Sequence, residues 1–310
     1  MRMVCPPRKR VAAAGIAAIY AGSNTITMLQ EQAGSETMPT ISVGGVRLEC
    51  RWWGAPDRPG PTLVLLHEGL GCVAMWRDFP ARLHRRTGRP VFAYSRAGYG
   101  GSDPIALPRG VDYMHVEGRE VVGAVLAAAG IKDAVLVGHS DGASIALVHA
   151  GAGTGGGAHL RALVLLAPHV FCEDVSIENI RAAGDAYRRG ALRERLARYH
   201  GDEVDATFFG WRDAWLRPEF RSWSIEAFLP GITVPLLLIQ GDRDPYGTAA
   251  QLDAIERGVS SPANQVTQVW LEDCGHAPHR DRPEETLKAI EAFLARVVPG
   301  TDQSAEDTAR

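Results

Sequence analysis

Three residue types that together make a nucleophile stand in this chain at suggestive positions. A serine lies in Gly138-His139-Ser140-Asp141-Gly142, two aspartates in Gly241-Asp242-Arg243-Asp244-Pro245, and two histidines in Gly275-His276-Ala277-Pro278-His279. A serine hydroxyl attacks poorly at neutral pH and needs a base, which a carboxylate must in turn orient. The apolar run Val135-Leu136-Val137 leads into the serine motif, and Ala143–Val148 leaves it with a helical pattern. Ser140 is therefore placed on a strand-to-helix turn with small residues on either side, the arrangement that lifts a hydroxyl clear of a sheet. The order serine, acid, histidine completes the set.

Asp244 is read as the acid rather than Asp242, because a residue before proline is held extended and can reach inward. His276 is read as the base. It forms H-x-x-H with His279, with Asp273 and Asp281 nearby, so a metal site is the competing interpretation. No coherent ligand set accompanies the pair, and Ser140 would be left without a base. The expected catalytic residues are Ser140, Asp244 and His276, with no metal and no organic cofactor required.

The oxygen that becomes negative during acyl attack needs N–H donors already in place. One is expected from Asp141, which follows the nucleophile. The other should come from His67-Glu68-Gly69-Leu70-Gly71 after the run Thr62–Leu66. Gly69 is the candidate donor, and Glu68 is the alternative register. Glu68 and Asp141 also raise the expectation of a negative rim that would favour a cationic substrate. The competing reading is that both side chains point away and only their backbones matter.

These residues must be positioned by a scaffold. Two β-rich runs flank Gly44-Gly45, a hairpin signal. Short apolar runs follow at Thr62–Leu66, Val91–Tyr94, Ala134–Val137, Leu163–Ala167 and Leu236–Ile239, with an alternating run at Gln268–Leu271. Helical patterns at Ala74–Arg86, Asp112–Ala129, Asp141–Ala150 and Thr248–Arg257 separate most of them, and Glu284–Val297 closes the series. Runs that are apolar on both faces and alternate with helices predict an α/β, mostly parallel, doubly wound sheet.

The stretch from Phe171 to Pro230 has helical periodicity, no strand-like run, and Trp211, Trp215 and Trp223. It reads as a helical cap inserted between strands, with Trp211 and Trp215 as substrate-contacting residues. Additional packing layers are the alternative. The expected organisation is a core of residues 38–171 and 231–298, a cap over 172–230, a leader over 1–37 and a frayed tail over 299–310.

Composition narrows the function classes. Across 310 residues the chain is 45% hydrophobic and 22% charged, with a formal net charge of -3. That profile argues against disorder and against a membrane-embedded protein. It also lacks the basic excess that a phosphate backbone would demand, so no nucleic-acid partner is expected. The five cysteines have long gaps and no C-x-x-C, which suits reduced thiols and a cytoplasmic location. The leader imitates a signal peptide, with Arg8-Lys9-Arg10 before a thin apolar run and Ala21-Gly22-Ser23. Export is therefore the alternative, beside a translation start placed too early. The run Gly151-Ala152-Gly153-Thr154-Gly155-Gly156 satisfies a dinucleotide-binding pattern. It follows a helix and precedes a strand, the reverse of what pyrophosphate binding needs, so it is read as a loop.

His67–Gly71, Ser95-Arg-Ala-Gly-Tyr-Gly-Gly-Ser102, Gly138–Gly142, Asp244 and Gly275-His276 together resemble the α/β-hydrolase superfamily of serine-nucleophile type, over roughly residues 40 to 298. The Ser-Asp-Gly of the elbow and Arg96-Ala-Gly-Tyr-Gly100 are similar to the biphenyl-hydrolase-like (valacyclovir hydrolase) branch. The resemblance implies an α/β-hydrolase fold with a helical cap and an acyl-enzyme mechanism on an ester-like bond of a small molecule. Two departures stand out: Glu68 replaces the usual glycine after His67, and Ser95 stands where many relatives carry aspartate. Haloalkane dehalogenases and epoxide hydrolases resemble this layout but use an aspartate nucleophile, which Ser140 disfavours. Thioesterase, lactonase and carbon–carbon bond hydrolase chemistry stay open, as does a non-catalytic ligand-binding module. The oligomeric state is not indicated.

Overall fold

The hairpin forms where two glycines permit it. Gly44 and Gly45 both have positive φ, at 56° and 84°, the combination that a two-residue turn matched to strand twist requires. The turn joins β1 (Thr40–Val43) to β2 (Val46–Trp53) in antiparallel register. This computed structural model describes residues 38–58, 60–153, 157–262 and 265–298. The readings of a leader, of export and of a tail fall on residues 1–37 and 299–310, which lie outside the described residues, as does part of the glycine run 151–156.

Beyond the hairpin lie β3 (Thr62–Leu66), β4 (Val91–Tyr94), β5 (Asp133–His139), β6 (His159–Leu166), β7 (Leu236–Gly241) and β8 (Val266–Leu271). The eight strands form one sheet in the order β1-β2-β4-β3-β5-β6-β7-β8. β2 pairs antiparallel with β4, and the six strands from β3 onward are mutually parallel. Every residue of β3 is buried, because the sheet is covered on both faces and successive side chains point to opposite sides. Leu63 and Leu65 meet one apolar layer, and Val64 and Leu66 meet the other.

The helices complete those layers. On one face lie α1 (Phe79–Thr87) and, near the C-terminus, α9 (Pro278–Asp281) and α10 (Pro283–Val297). Phe79, Leu83, Leu287, Ile290 and Phe293 pack there with Leu63 and Leu65. The opposite face carries α2 (Tyr113–Val116), α3 (Val122–Ala128), α4 (Asp141–Ala152) and α8 (Ala249–Gly258). A single π-helical turn, Glu117–Val121, joins α2 to α3. This is a mostly parallel, doubly wound α/β sheet of the α/β-hydrolase fold.

The predicted helix over Ala74–Arg86 is interrupted. A 3-10 turn spans Val73–Trp76, Arg77 adopts φ 55°, and α1 starts only at Phe79. Pro80 explains the break: it has no N–H to give to the carbonyl four residues back, and it suits the first turn of a helix instead.

Between β6 and β7 the chain leaves the sheet for α5 (Asp174–Arg188), α6 (Ala191–His200) and α7 (Val204–Leu216). The stem of this excursion is tied down by Gln251 on α8. Its Oε1 accepts from the Val170 N–H at 2.7 Å, and its Nε2 donates to the Phe171 carbonyl at 3.1 Å and the Glu173 carboxylate at 2.8 Å. No helix among the described residues is long and apolar enough to cross a membrane.

Candidate active site

The turn from β5 into α4 puts Ser140 at φ 53°, ψ -119°, a conformation that non-glycine residues adopt only where surrounding structure compels it. The compulsion is visible in the flanking glycine. A Cβ on Gly142 would fall 2.0 Å from the Leu66 carbonyl oxygen, so α4 can approach the end of β3 only without a side chain there. The Ser140 N–H donates to Leu166 O at 2.9 Å, tying the turn to the end of β6.

Two loops at neighbouring strand ends bring the other groups. The loop after β7 presents Asp244, and the loop after β8 presents His276. His276 Nε2 lies 2.8 Å from Ser140 Oγ, while Nδ1 lies 2.9 and 2.8 Å from the two Asp244 oxygens. Asp244 also accepts from Gln240 Nε2 at 2.7 Å and from the Tyr246 N–H at 2.8 Å. Burial of Asp244 favours its neutral acid, yet the facing His276 and these donors outweigh that and hold its pKa below the ordinary carboxylate value. Asp242 is occupied elsewhere, accepting from the Cys274 N–H at 3.1 Å.

His276 and His279 diverge. His279 packs against Trp76, Phe79 and His139, with ring centroids at 4.7, 5.5 and 4.8 Å. Burial, and then His139, push its pKa well below the usual histidine value. It serves as an apolar wall behind the His276 loop. Among the described residues no group of three or more His, Cys, Asp or Glu is arranged to hold a metal ion.

The loop after β3 is held from beneath by Arg96. Its guanidinium donates to the carbonyls of His67 at 2.5 Å and Glu68 at 3.0 Å, and its N–H donates to His67 Nε2 at 3.0 Å. With Nε2 accepting, His67 Nδ1 donates to the Glu68 carbonyl at 2.7 Å. Carbonyls 67 and 68 are thus committed on the Arg96 side of the loop that carries Glu68 and Gly69. Asp141, as the first residue of α4, has an N–H without a partner inside the helix. Ser95, the departure from the family pattern, gives its hydroxyl to Glu49 Oε2 at 2.6 Å and accepts from the Val73 N–H at 2.9 Å. A carboxylate from β2 therefore stands beside the position where relatives carry aspartate.

Of the two carboxylates expected to make a rim, only Glu68 lines the cavity beside His276. Asp141 is buried. It accepts from the Tyr113 hydroxyl, whose oxygen accepts from Trp215 Nε1 at 3.0 Å, and it faces Arg96 at 3.9 Å. Burial raises its pKa, with Arg96 and Tyr113 opposing. Glu68 lies 3.4 Å from His139 Nδ1. Burial works to raise its pKa, but His139 foremost, with His279 and His67, drives it far below the ordinary value. His139 in turn donates from Nε2 to the His276 carbonyl at 2.6 Å.

Trp211 and Trp215, the tryptophans expected to contact substrate, both sit on α7. Trp211 Nε1 lies over Gly69, where a Cβ would meet it at 2.1 Å. Trp215 packs edge-on or tilted against His169, Phe220 and Trp223. Both belong to the buried face of α7 because bulky aromatics seal that helix onto the core. The cavity of about 440 Å³ beside His276 is walled by α6, through Leu192, Arg195, Leu196, Arg198 and Tyr199, and by Met75, Arg77 and Tyr246. The arginines at i and i+3 of an amphipathic helix were the available signal in the sequence. Arg96, Tyr113 and His139 carried none, since their partners come from distant segments.

Residues 63–289 match the alpha/beta hydrolase family. The chain belongs to that family. A sequence relative is epoxide hydrolase A of Mycobacterium tuberculosis, 33% identical over 104 residues. That match spans 31% of the relative and 33% of this hydrolase. Similar solved structures include VinJ (24% identity, TM-score 0.64, covering 85% of this chain and 99% of the other). An enol-lactonase from Burkholderia xenovorans LB400 follows at 21% identity and TM-score 0.64, covering 83% and 100%. A thermophilic esterase from Thermogutta terrifontis follows at 20% and 0.62, covering 83% and 98%. At these identities the structural likeness of this hydrolase to them is one of fold.

Proposed function

We propose that this hydrolase cleaves an ester-like bond of a small molecule through an acyl-enzyme formed on Ser140. The observation that carries the reading is the continuous relay from Ser140 Oγ through His276 to Asp244, each contact within 2.9 Å, with Ser140 held on a strained turn. Asp244 accepts from Nδ1–H, which leaves Nε2 free to take the serine proton. Ser140 Oγ attacks the carbonyl carbon, and the proton passes to His276. The oxygen that becomes negative is met by the Asp141 N–H and by an N–H of the Glu68-Gly69 segment. His276 then gives the proton to the leaving oxygen or sulfur. Water repeats the sequence on the acyl-enzyme, releasing the acid and restoring Ser140.

The epoxide hydrolase relative raises a nucleophilic aspartate as the second reading. Asp141 is the only carboxylate on the elbow, and its hydrogen bond from Tyr113 and its proximity to Arg96 engage it away from His276, which favours the serine route. A fluorophosphonate probe tests this directly. Labelling is expected at Ser140 and should vanish in Ser140→Ala and weaken strongly in His276→Ala. Across a panel of esters, thioesters and lactones, Ser140→Ala should lower kcat by about 10⁴-fold or more. Full turnover in Ser140→Ala, or a loss confined to His279→Ala, would overturn the assignment.

A further inference from the structure

The cavity that opens on His276 is ringed at its mouth by arginines. Arg77, Arg195, Arg198 and Arg280 all line it, and all four are exposed. Among the described residues Arg77, Arg195 and Arg198 have no carboxylate partner, and Arg280 has only its neighbour Asp281, at 3.5 Å. The contrast within α6 is informative. Arg193 makes two bonds to Asp205, at 2.9 and 2.8 Å, whereas Arg195 and Arg198, three residues apart and hence on one face, point their charge at the cavity unopposed. Arg77 reaches the same mouth from the other side, out of a backbone conformation of φ 55°, ψ -123°. That conformation nearly repeats the strained one of Ser140, and strain of this kind concentrates where a side chain must be aimed.

Deeper in, the chemistry changes. Leu192, Leu196 and Met75 give an apolar wall, and Glu68 stands on the lining with His139 beside it. A bound anion would be repelled from Glu68 and drawn to the rim, so a ligand with an uncharged stem and an anionic head is oriented head outward. The proton that His276 takes from Ser140 must be handed to the leaving atom, and the leaving group must therefore rest against His276, which forms part of this cavity's wall.

We propose that this cavity seats the leaving group, and that its arginine rim selects alcohols or thiols carrying a carboxylate or phosphate on the end remote from the scissile bond. The placement of the leaving group rests on the serine-hydrolase reading given above, but the anion site does not. A cleft lined by one sign of charge raises local ligand concentration and capture rate, by about 10- to 1000-fold at low ionic strength.

Three esters that share an acetyl group test it, since all give the same acyl-enzyme: phenyl acetate, 4-acetoxybenzoate and 4-acetoxyphenyl phosphate. The expected result is kcat/KM for one or both anionic esters about 10- to 100-fold above phenyl acetate at low salt, with the gap closing near 0.5 M salt as screening shortens. Which anionic ester gains more distinguishes a carboxylate head from a phosphate head. Arg195→Ala with Arg198→Ala should collapse the anionic-to-neutral ratio, and Arg198→Glu should reverse it. Calorimetry on Ser140→Ala reads the site without turnover: 4-hydroxybenzoate or 4-hydroxyphenyl phosphate should bind at least tenfold more tightly than phenol. Equal binding of the three leaving groups, or a ratio unmoved by the arginine substitutions, would overturn the proposal. Anion binding with no hydrolysis of any ester would leave the anion site standing and bring down the hydrolase reading instead.

Discussion

Arg96 and Arg198 are the same residue used in opposite ways. Arg96 is buried, with its guanidinium spent on two carbonyls, stacked over the Tyr99 ring at 4.9 Å and facing Asp141. Arg198 stands exposed on α6 at the mouth of the cavity, with no carboxylate taken up. A buried charge is tolerable only when partnered, and both terminal nitrogens of Arg96 are already committed, which leaves little to offer a ligand. An exposed charge costs little to keep unpaired, and its donors remain available. The difference separates architecture from availability around this site: the inner arginine shapes the loop proposed to meet developing negative charge, and the outer ones keep their donors free for a ligand.

That contrast can be broken by substitution. Arg96→Met should produce the largest effect, because it strands the carboxylate of Asp141 and the carbonyls of residues 67 and 68. A loss of roughly 3–5 kcal/mol is expected, with a fall in Tm of about 10 °C and with ester hydrolysis falling alongside as the loop relaxes. Thermal denaturation and turnover on one neutral ester check both.

A smaller effect should come from His200, which closes α6 onto the core. Its Nε2 donates to Leu70 O at 2.9 Å, and its Nδ1 accepts from the Gly100 N–H at 3.0 Å. Burial lowers its pKa below the ordinary 6.5, so the folded protein holds the ring neutral while the unfolded chain takes up a proton. The stabilisation is complete above 6.5 and is lost progressively as pH falls from there toward the lower folded value. His67, His169 and His279 are displaced in the same direction. Melting curves between pH 7.5 and pH 5 should therefore show Tm falling with acid. His200→Gln should cost about 0.5–1.5 kcal/mol of stability at neutral pH, the value of one lost hydrogen bond, lowering Tm accordingly and flattening its acid dependence.

The smallest stability effect belongs to the rim. Arg195→Ala and Arg198→Ala should each leave stability within about 0.5 kcal/mol. A Tm loss comparable to that of Arg96→Met would show that the outer arginines are architectural too, and the contrast would collapse.

How much of this the sequence disclosed follows the distance over which each signal acts. The strands announced themselves because burial on both faces leaves short apolar runs, as in Thr-Leu-Val-Leu-Leu of β3. The relay was legible because each member sits at a strand end within two residues of glycine or proline, and the helix break at Arg77 could have been read from Pro80. The direction taken by the Asp141 carboxylate was not legible, since Tyr113, Trp215 and Arg96 come from three other segments. Nor could the tryptophans of α7 be told from cavity-lining residues, because a sealing aromatic and a contacting one look identical in one dimension.

Three contacts from the helices between β6 and β7 land beside the N–H donors of the proposed mechanism: Trp211 over Gly69, Trp215 through Tyr113 to Asp141, and His200 on Leu70. Any swing of these helices that let a product out would release all three at once. The donors would then slacken just when the chamber is flooded, and would regain their aim only on reclosure. Ligand exchange and bond cleavage would take turns in time, as in a lock with two gates of which one is always shut.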